Sequence, residues 1–238
     1  MAALLQKHLK PVEAEDHNTV LGLLTQARDA LKCERTKQLN RLHRLLRELI
    51  DGGVPRGLTV ARAKTALKNL RPRVAADLCR RDLARDLAVS LVRLEAQMDK
   101  YEQSIADALA STATKLMDIQ GISILMAGKI LGETAGVSRF SSSAHFASYT
   151  GAAPLDASSG ENKRQRLNMG GNRQLNLALH MIAVCQIQHR GKGQDYYLRK
   201  VAEGKTPREA RRALKRRLSN VIYRTMVADE RRREAVIC

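Results

Sequence analysis

Apolar residues recur at helical spacing along most of this chain. After a polar lead-in containing Pro11, Glu13, Glu15 and Asp16, the stretch His17 to Ile50 carries two stripes. Val20, Leu24, Ala27 and Leu31 share one face, and Leu39, Leu42, Leu46 and Leu49 share another, a spacing that predicts a long amphipathic helix. Gly52, Gly53 and Pro55 stop it, because two glycines followed by a proline cannot continue a helix at low cost. A basic, apolar-poor segment ending at Arg73 and broken by Pro72 comes next. Beyond it lies the most regular pattern in the chain: Ala84, Leu87, Leu91, Leu94, Met98, Tyr101, Ile105 and Ala108 alternate by three and four. This predicts a helix over 74–110, on the order of 50 Å long at 1.5 Å per residue, with one stripe turned toward a partner helix. The partner is either the 17–50 helix, folded back as a hairpin, or a second protomer.

The remaining pattern is also helical. The run L-M-D-I-Q-G-I-S-I-L-M-A-G-K-I-L reads as a helix end, a turn at Gly121 and a second helix with Ala127 at a close-packing position, a helix-hairpin-helix-like arrangement. Ser141 is placed to cap a helix whose packing residues include Phe140, Phe146 and Tyr149. Leu175, Ala178, Leu179, Ile182 and Cys185 form a further stripe ending near His189 to Gly193. A last helix opens at Thr206 and Pro207, with Glu209 placed to cap back and an apolar face of Leu214, Val221 and Ile222. The expected fold class is therefore all-α: a long helical arm over residues 1–110 and a compact helical domain over 111–238.

Charge narrows the function. The net charge is +18 across 238 residues, and only 3% of residues are aromatic, so the basic surplus points to a polyanion backbone rather than to base stacking. No apolar run approaches the roughly 20 residues of a membrane span, and the first residues lack a secretion signal. A cytoplasmic protein with no membrane partner is expected. Cys33, Cys79, Cys185 and Cys238 show no metal-binding or disulfide spacing, and the histidines are scattered, so no metal site and no cofactor are assigned to the chain.

One loop concentrates the chemistry. Ser158 and Ser159 precede Gly160, followed by Lys163, Arg164 and Arg166, and then Gly170, Gly171 and Asn172 open the helical stripe that begins with Arg173. A serine in a glycine-flexed loop can approach a phosphodiester, guanidinium groups can hold its oxygens, and helix-start N–H groups add positive potential. An ordinary polar surface loop has the same residue types, and both readings stand on composition alone. Asp156 is read as a turn residue rather than a base, and Ser141, Ser142 and Ser143 as capping residues. Two further sets face nucleic acid in this reading. The turn at Gly121 and Ser123, with Lys129 one turn on, offers backbone N–H groups to a phosphate. Arg211, Arg212, Lys215 and Arg216, with Arg208 and Arg217, line the last helix with one sign of charge, which is unfavourable without a polyanion alongside.

The motifs L-M-D-I-Q-G-I-S, F-A-S-Y-T-G-A-A-P, S-S-G and G-G-N-R-Q-L-N-L-A-L, in this order over about Lys115 to Met226, resemble the C-terminal domain of transposases of the one-ten, one-sixteen and nine-oh-two insertion sequences. The resemblance implies a DNA recombinase guided by a bridge RNA, with Ser159 as the serine that attacks DNA and Ser158 as the fallback. It also implies a coiled-coil arm that makes a homo-oligomer, and magnesium held by carboxylates of a separate RNase H-like domain. Nothing in residues 1–110 resembles that domain, and the opening helix resembles the segment that follows its last catalytic aspartate. The expectation is a truncated member, inactive or nearly so alone, either completed by a longer transposase or acting as a non-catalytic DNA- or RNA-binding remnant that dimerises with one.

Overall fold

The computed structural model describes residues 16–54, 57–156, 165–166 and 170–237. The first fifteen residues, with the expected lead-in, and Ser158, Ser159, Lys163 and Arg164 lie outside the described residues. The described chain is all-α: α1 (His17–Leu49), α2 (Val60–Asn69), α3 (Ala75–Ala110), α4 (Ile124–Thr134), α5 (Ser143–Tyr149), α6 (Arg173–Gln188), α7 (Lys192–Ala202) and α8 (Pro207–Ile237). Between α5 and α6 a two-residue antiparallel ladder pairs β1 (Leu155–Asp156) with β2 (Gln165–Arg166), Leu155 opposite Arg166 and Asp156 opposite Gln165.

Two compact units are distinguished, one formed by Leu24–Asp107 and the other by Ala108 onward together with the beginning of α1 up to Leu23. In the first, α1 and α3 run antiparallel. Arg28 reaches Glu102 at 3.1 Å, Arg35 reaches Glu95 at 2.7 Å and Arg80 reaches Glu48 at 2.9 Å, so each step toward the end of one helix is matched by a step toward the start of the other. The regular stripe of α3 is thus packed within its own chain, Ala84, Leu91 and Ile105 being fully or almost fully buried. At the closed end, Leu42 and Leu46 of α1 and Ala84, Ala88 and Leu91 of α3 enclose a core completed by α2. The sequence pattern predicts only an apolar-poor segment where α2 forms. Its signal is short but present: Val60, Ala63 and Leu67 fall on one face and are buried, and the Thr59 hydroxyl accepts the Arg62 N–H at 3.3 Å as an N-cap.

In the second unit, α8 packs against α5, α6 and α7, while α6 also contacts α4 and α7. The reason is a strict i, i+4 row, Ala210, Leu214, Leu218, Ile222 and Met226, every member buried. Burying a leucine-sized side chain contributes about 1.5–3 kcal/mol, so this row supplies much of the unit's cohesion. Val221, expected on that face, is instead 39% exposed. A similar correction applies to α1, where Val20 is exposed and Leu21 is buried. The cause is a backbone crossing: a Cβ added at Gly132 of α4 would lie 2.5 Å from the Gly22 Cα, so α1 presents its Gly22 face, with Leu21 beside it. The helix cap expected at Ser141 is supplied by Ser142, whose hydroxyl accepts the His145 N–H at 3.2 Å. At the start of α8 the expected reciprocal cap is present, Glu209 N–H donating to the Thr206 hydroxyl and Thr206 N–H to the Glu209 carboxylate.

The beginning of α1 and the end of α8 meet at a polar contact. An Arg233 N–H donates to Nε2 of His17 at 2.5 Å, and since arginine only donates, the histidine is neutral. Burial lowers the His17 pKa from its ordinary 6.5, Asp16 opposing and Arg233 adding to the effect. A histidine held neutral in the fold binds fewer protons than in the unfolded chain, so the stability it confers is present above 6.5 and is lost as the pH falls below it. Chemical denaturation at pH 7.5 and pH 5 is expected to show a larger acid loss for the unmutated chain than for His17→Gln, which keeps an acceptor but does not titrate.

Candidate nucleic-acid site at the neck of the serine loop

The serine loop leaves the fold at Gly151 and returns at Gly171, and the two ends are in backbone contact. A Cβ added at Gly171 would lie 2.4 Å from the Gly151 nitrogen and 2.9 Å from the Tyr149 carbonyl oxygen, so only glycine fits. The Asn172 N–H donates to that Tyr149 carbonyl at 2.6 Å, and Gly151 turns the chain with a left-handed φ of 66°. Within the loop, the β1–β2 ladder brackets residues 157–164 in sequence.

Side chains from α4, α5, α6 and α8 hold this neck. Asn172 caps α6, its Oδ1 accepting the Leu175 N–H at 2.9 Å, while its Nδ2 donates to the Glu133 carboxylate of α4 at 2.8 Å. The Tyr149 hydroxyl donates to the Glu133 carbonyl at 3.2 Å. One turn into α6, Asn176 Nδ2 donates to the carbonyls of Thr150 and Gly151 at 3.0 and 3.1 Å. Its Oδ1 accepts from Lys215 Nζ of α8 at 2.6 Å. The Thr150 hydroxyl lies 3.4 Å from that of Ser219, and both residues are fully buried. Beneath these groups, Phe140 packs edge-on to Phe146, and Arg139 stacks on Phe140 and Tyr149 at about 5 Å.

The expected site residues divide into distinct groups. Lys129 reaches the start of α6, donating to Gln174 Oε1 at 3.1 Å, and so joins Asn172 and the exposed Arg173 at the mouth of the loop. Gly121 and Ser123 do not join them. Gly121, with φ 89°, packs on Cys185 near the far end of α6, where Gln186 Nε2 donates to the Gln120 carbonyl at 2.7 Å. The Ser123 hydroxyl caps α4 by accepting the Met126 N–H at 3.4 Å. The element before this turn is a single 3-10 turn, Leu116–Asp118.

The α8 residues divide as well. Lys215 is only 7% exposed and points inward, and burial lowers its pKa. Arg211 is half-buried beside His180, whose own pKa is lowered by burial first and then by Lys215 and Arg211. Arg216 is half-buried and hydrogen-bonded to Asn220, and Arg212 is exposed. Arg166 lies in β2. Glu133, Thr150, Asn176 and Ser219 escaped the sequence reading, although Asn172 and Asn176, four apart on one helix, carry a readable signal.

Among the described residues no group of three or more His, Cys, Asp or Glu side chains is placed to hold a metal ion. No helix among the described residues is long and apolar enough to cross a membrane.

Residues 113–198 match the model of the transposase IS116/IS110/IS902 family. The chain is also similar to the insertion element IS110 uncharacterized 43.6 kDa protein of Streptomyces coelicolor, with 31% identity over 140 residues. That alignment covers 58% of this chain and 35% of the relative, so the chain spans about a third of the length of the protein it matches.

Proposed function

We propose that this chain, whose residues 113–198 match the transposase IS116/IS110/IS902 family model, handles DNA for an insertion-sequence transposase and presents the serine of the Gly151–Gly171 loop to a phosphodiester. The observation that carries this reading is the closed neck. Two glycines in backbone contact, tied to α4, α6 and α8, fix where the loop leaves and re-enters the fold, beside Lys129, Arg173 and the α6 N-terminus.

In the reaction proposed, Ser159 Oγ forms a bond to phosphorus and the bond to one DNA oxygen breaks. The departing oxygen takes a proton and the phosphodiester energy is kept for rejoining. A serine hydroxyl is a weak nucleophile at neutral pH. The chain's part is to orient it and to stabilise charge developing on phosphorus through Arg164, Arg166 and Arg173. The proton acceptor and the magnesium are assigned to no described residue. A guide RNA, and association with a second or longer transposase chain, belong to the same proposal.

The test is a denaturing gel for a covalent protein–DNA adduct, using this chain with labelled duplex and a separately supplied RNase H-like transposase domain. An adduct formed by the unmutated chain and by Ser158→Ala but abolished in Ser159→Ala is the expected result. An adduct unaffected by either substitution removes the serine from the mechanism. The net charge of +18 also favours one second reading, a non-catalytic nucleic-acid-binding chain that associates with a full-length transposase. Salt-dependent duplex binding that survives Ser159→Ala, with no adduct from any variant, would establish it.

A further inference from the structure

The acidic residues of this chain are unevenly placed. In the α1–α3 hairpin, Arg28, Arg35 and Arg80 each face a glutamate of the opposite helix. Along α8 the arrangement is different, its carboxylates Glu209, Asp229, Glu230 and Glu234 falling outside one row of arginines. Arg217, Arg224 and Arg231 repeat every seven residues, all are exposed, and the positions between them on that face are the exposed Val221 and Ala228. Seven residues rise about 10.5 Å, so the three guanidinium groups span about 21 Å along one line. The amide beside the row, Asn220, is half-buried and hydrogen-bonded to Arg216, so the row has charge to offer but little besides arginine with which to read bases.

The upper end of the row is built. The Arg217 guanidinium lies 4.9 Å from the centre of the Tyr196 ring of α7, and Arg199 and Lys200 lie 5.2 and 5.6 Å from the same ring. Beside this ring, three cations, Lys200, Arg199 and Lys205, act on one carboxylate, Glu203, and lower its pKa, the hydrogen bond from Lys200 first. With its ring occupied by cations, Tyr196 is not a platform for a base. It holds guanidinium groups in place through their attraction to the ring.

We infer that this α7–α8 surface, running from the Tyr196 cluster along Arg217, Arg224 and Arg231, binds the phosphodiester backbone of a nucleic acid without regard to sequence. It is a track separate from the serine loop. The inference rests on the nucleic-acid reading of the chain but not on Ser159.

Each neutralised phosphate releases about 0.9 counterion on B-DNA. Measuring affinity for a labelled duplex across a potassium chloride series, the triple variant Arg217→Gln/Arg224→Gln/Arg231→Gln is expected to lower the slope of log K against log salt by about 2 to 3. Affinity at about 0.15 M salt should fall on the order of 100-fold. A matched variant, Arg41→Gln/Arg44→Gln/Arg93→Gln, removes the same charge from exposed positions of the hairpin unit and should leave the slope nearly unchanged. Tyr196→Phe keeps the ring and should bind normally, whereas Tyr196→Leu should lose about one unit of slope. DNA and RNA duplexes of one sequence, run in parallel, identify which backbone the track takes. An equal slope loss in the two triple variants, or none in either, overturns the inference while leaving the transposase reading in place. An unmutated chain that binds neither duplex at low salt removes both.

Discussion

Gly171→Ala is expected to cost about 3 kcal/mol of stability, the upper part of the range for forcing an extra methyl into filled space. The new Cβ would meet the Gly151 nitrogen at 2.4 Å, the Gly151 Cα at 2.6 Å and the Tyr149 oxygen at 2.9 Å. All three are backbone atoms, so no side-chain rotation relieves the overlap and the neck itself must open. Opening it stretches the Asn172 N–H bond to Tyr149 and the Asn176 bonds to Thr150 and Gly151. Asn172→Ala removes the α6 cap and the link to Glu133 without adding bulk, and should cost only about 1 kcal/mol. Denaturant midpoints of the two variants decide the matter: a Gly171→Ala midpoint equal to that of the unmutated chain would show that the two loop ends are not in contact.

Contact between Gly151 and Gly171 has no signal in the sequence, whereas the helices do. The long helices were legible because their periodicity is long: eight apolar positions in α3 spaced by three and four leave no other solution, and α3 begins at Ala75 and ends at Ala110. The short helices were not. α7 has the pattern of a surface helix with one buried glycine, Gly193, and no apolar row to announce it. The direction of each face was legible only where side chains decide it. In α1 a glycine pair decides it, and Gly22 carries no hydropathy signal, so Val20 was placed inward and Leu21 overlooked.

The site divides in the same way. Gly170, Gly171 and Asn172 announced the start of α6, and the structure makes Asn172 its cap. Basic residues were read as one exposed set because sequence gives their charge but not their environment. Lys215 shows the difference, since it follows the buried Leu214 on α8 and turns its amine under the loop neck. Gly121 and Ser123 are read toward phosphate because glycine turns bind it, and the structure adds a packing role, since Gly121 lies against Cys185.

Lys215 carries the second large effect. Its amine is hydrogen-bonded to Asn176, which in turn holds the carbonyls of Thr150 and Gly151, so one buried cation supports both sides of the loop. Lys215→Ala removes that bond and leaves a cavity, and should cost about 2–4 kcal/mol at neutral pH. Lys215→Met fills most of the space and separates charge from volume. Burial holds the Lys215 pKa below its ordinary 10.5, so the folded chain gives up this proton more readily than the unfolded chain does. The unfolded state therefore binds more protons between the lowered value and 10.5, and the lysine's contribution to stability rises with pH through that window. Denaturation at pH 7, 8.5 and 10 should show the unmutated chain gaining stability relative to Lys215→Met as the pH approaches 10. A constant difference across the series would mean that the amine is hydrated, and that the neck is held by Asn176 without the charge beneath it.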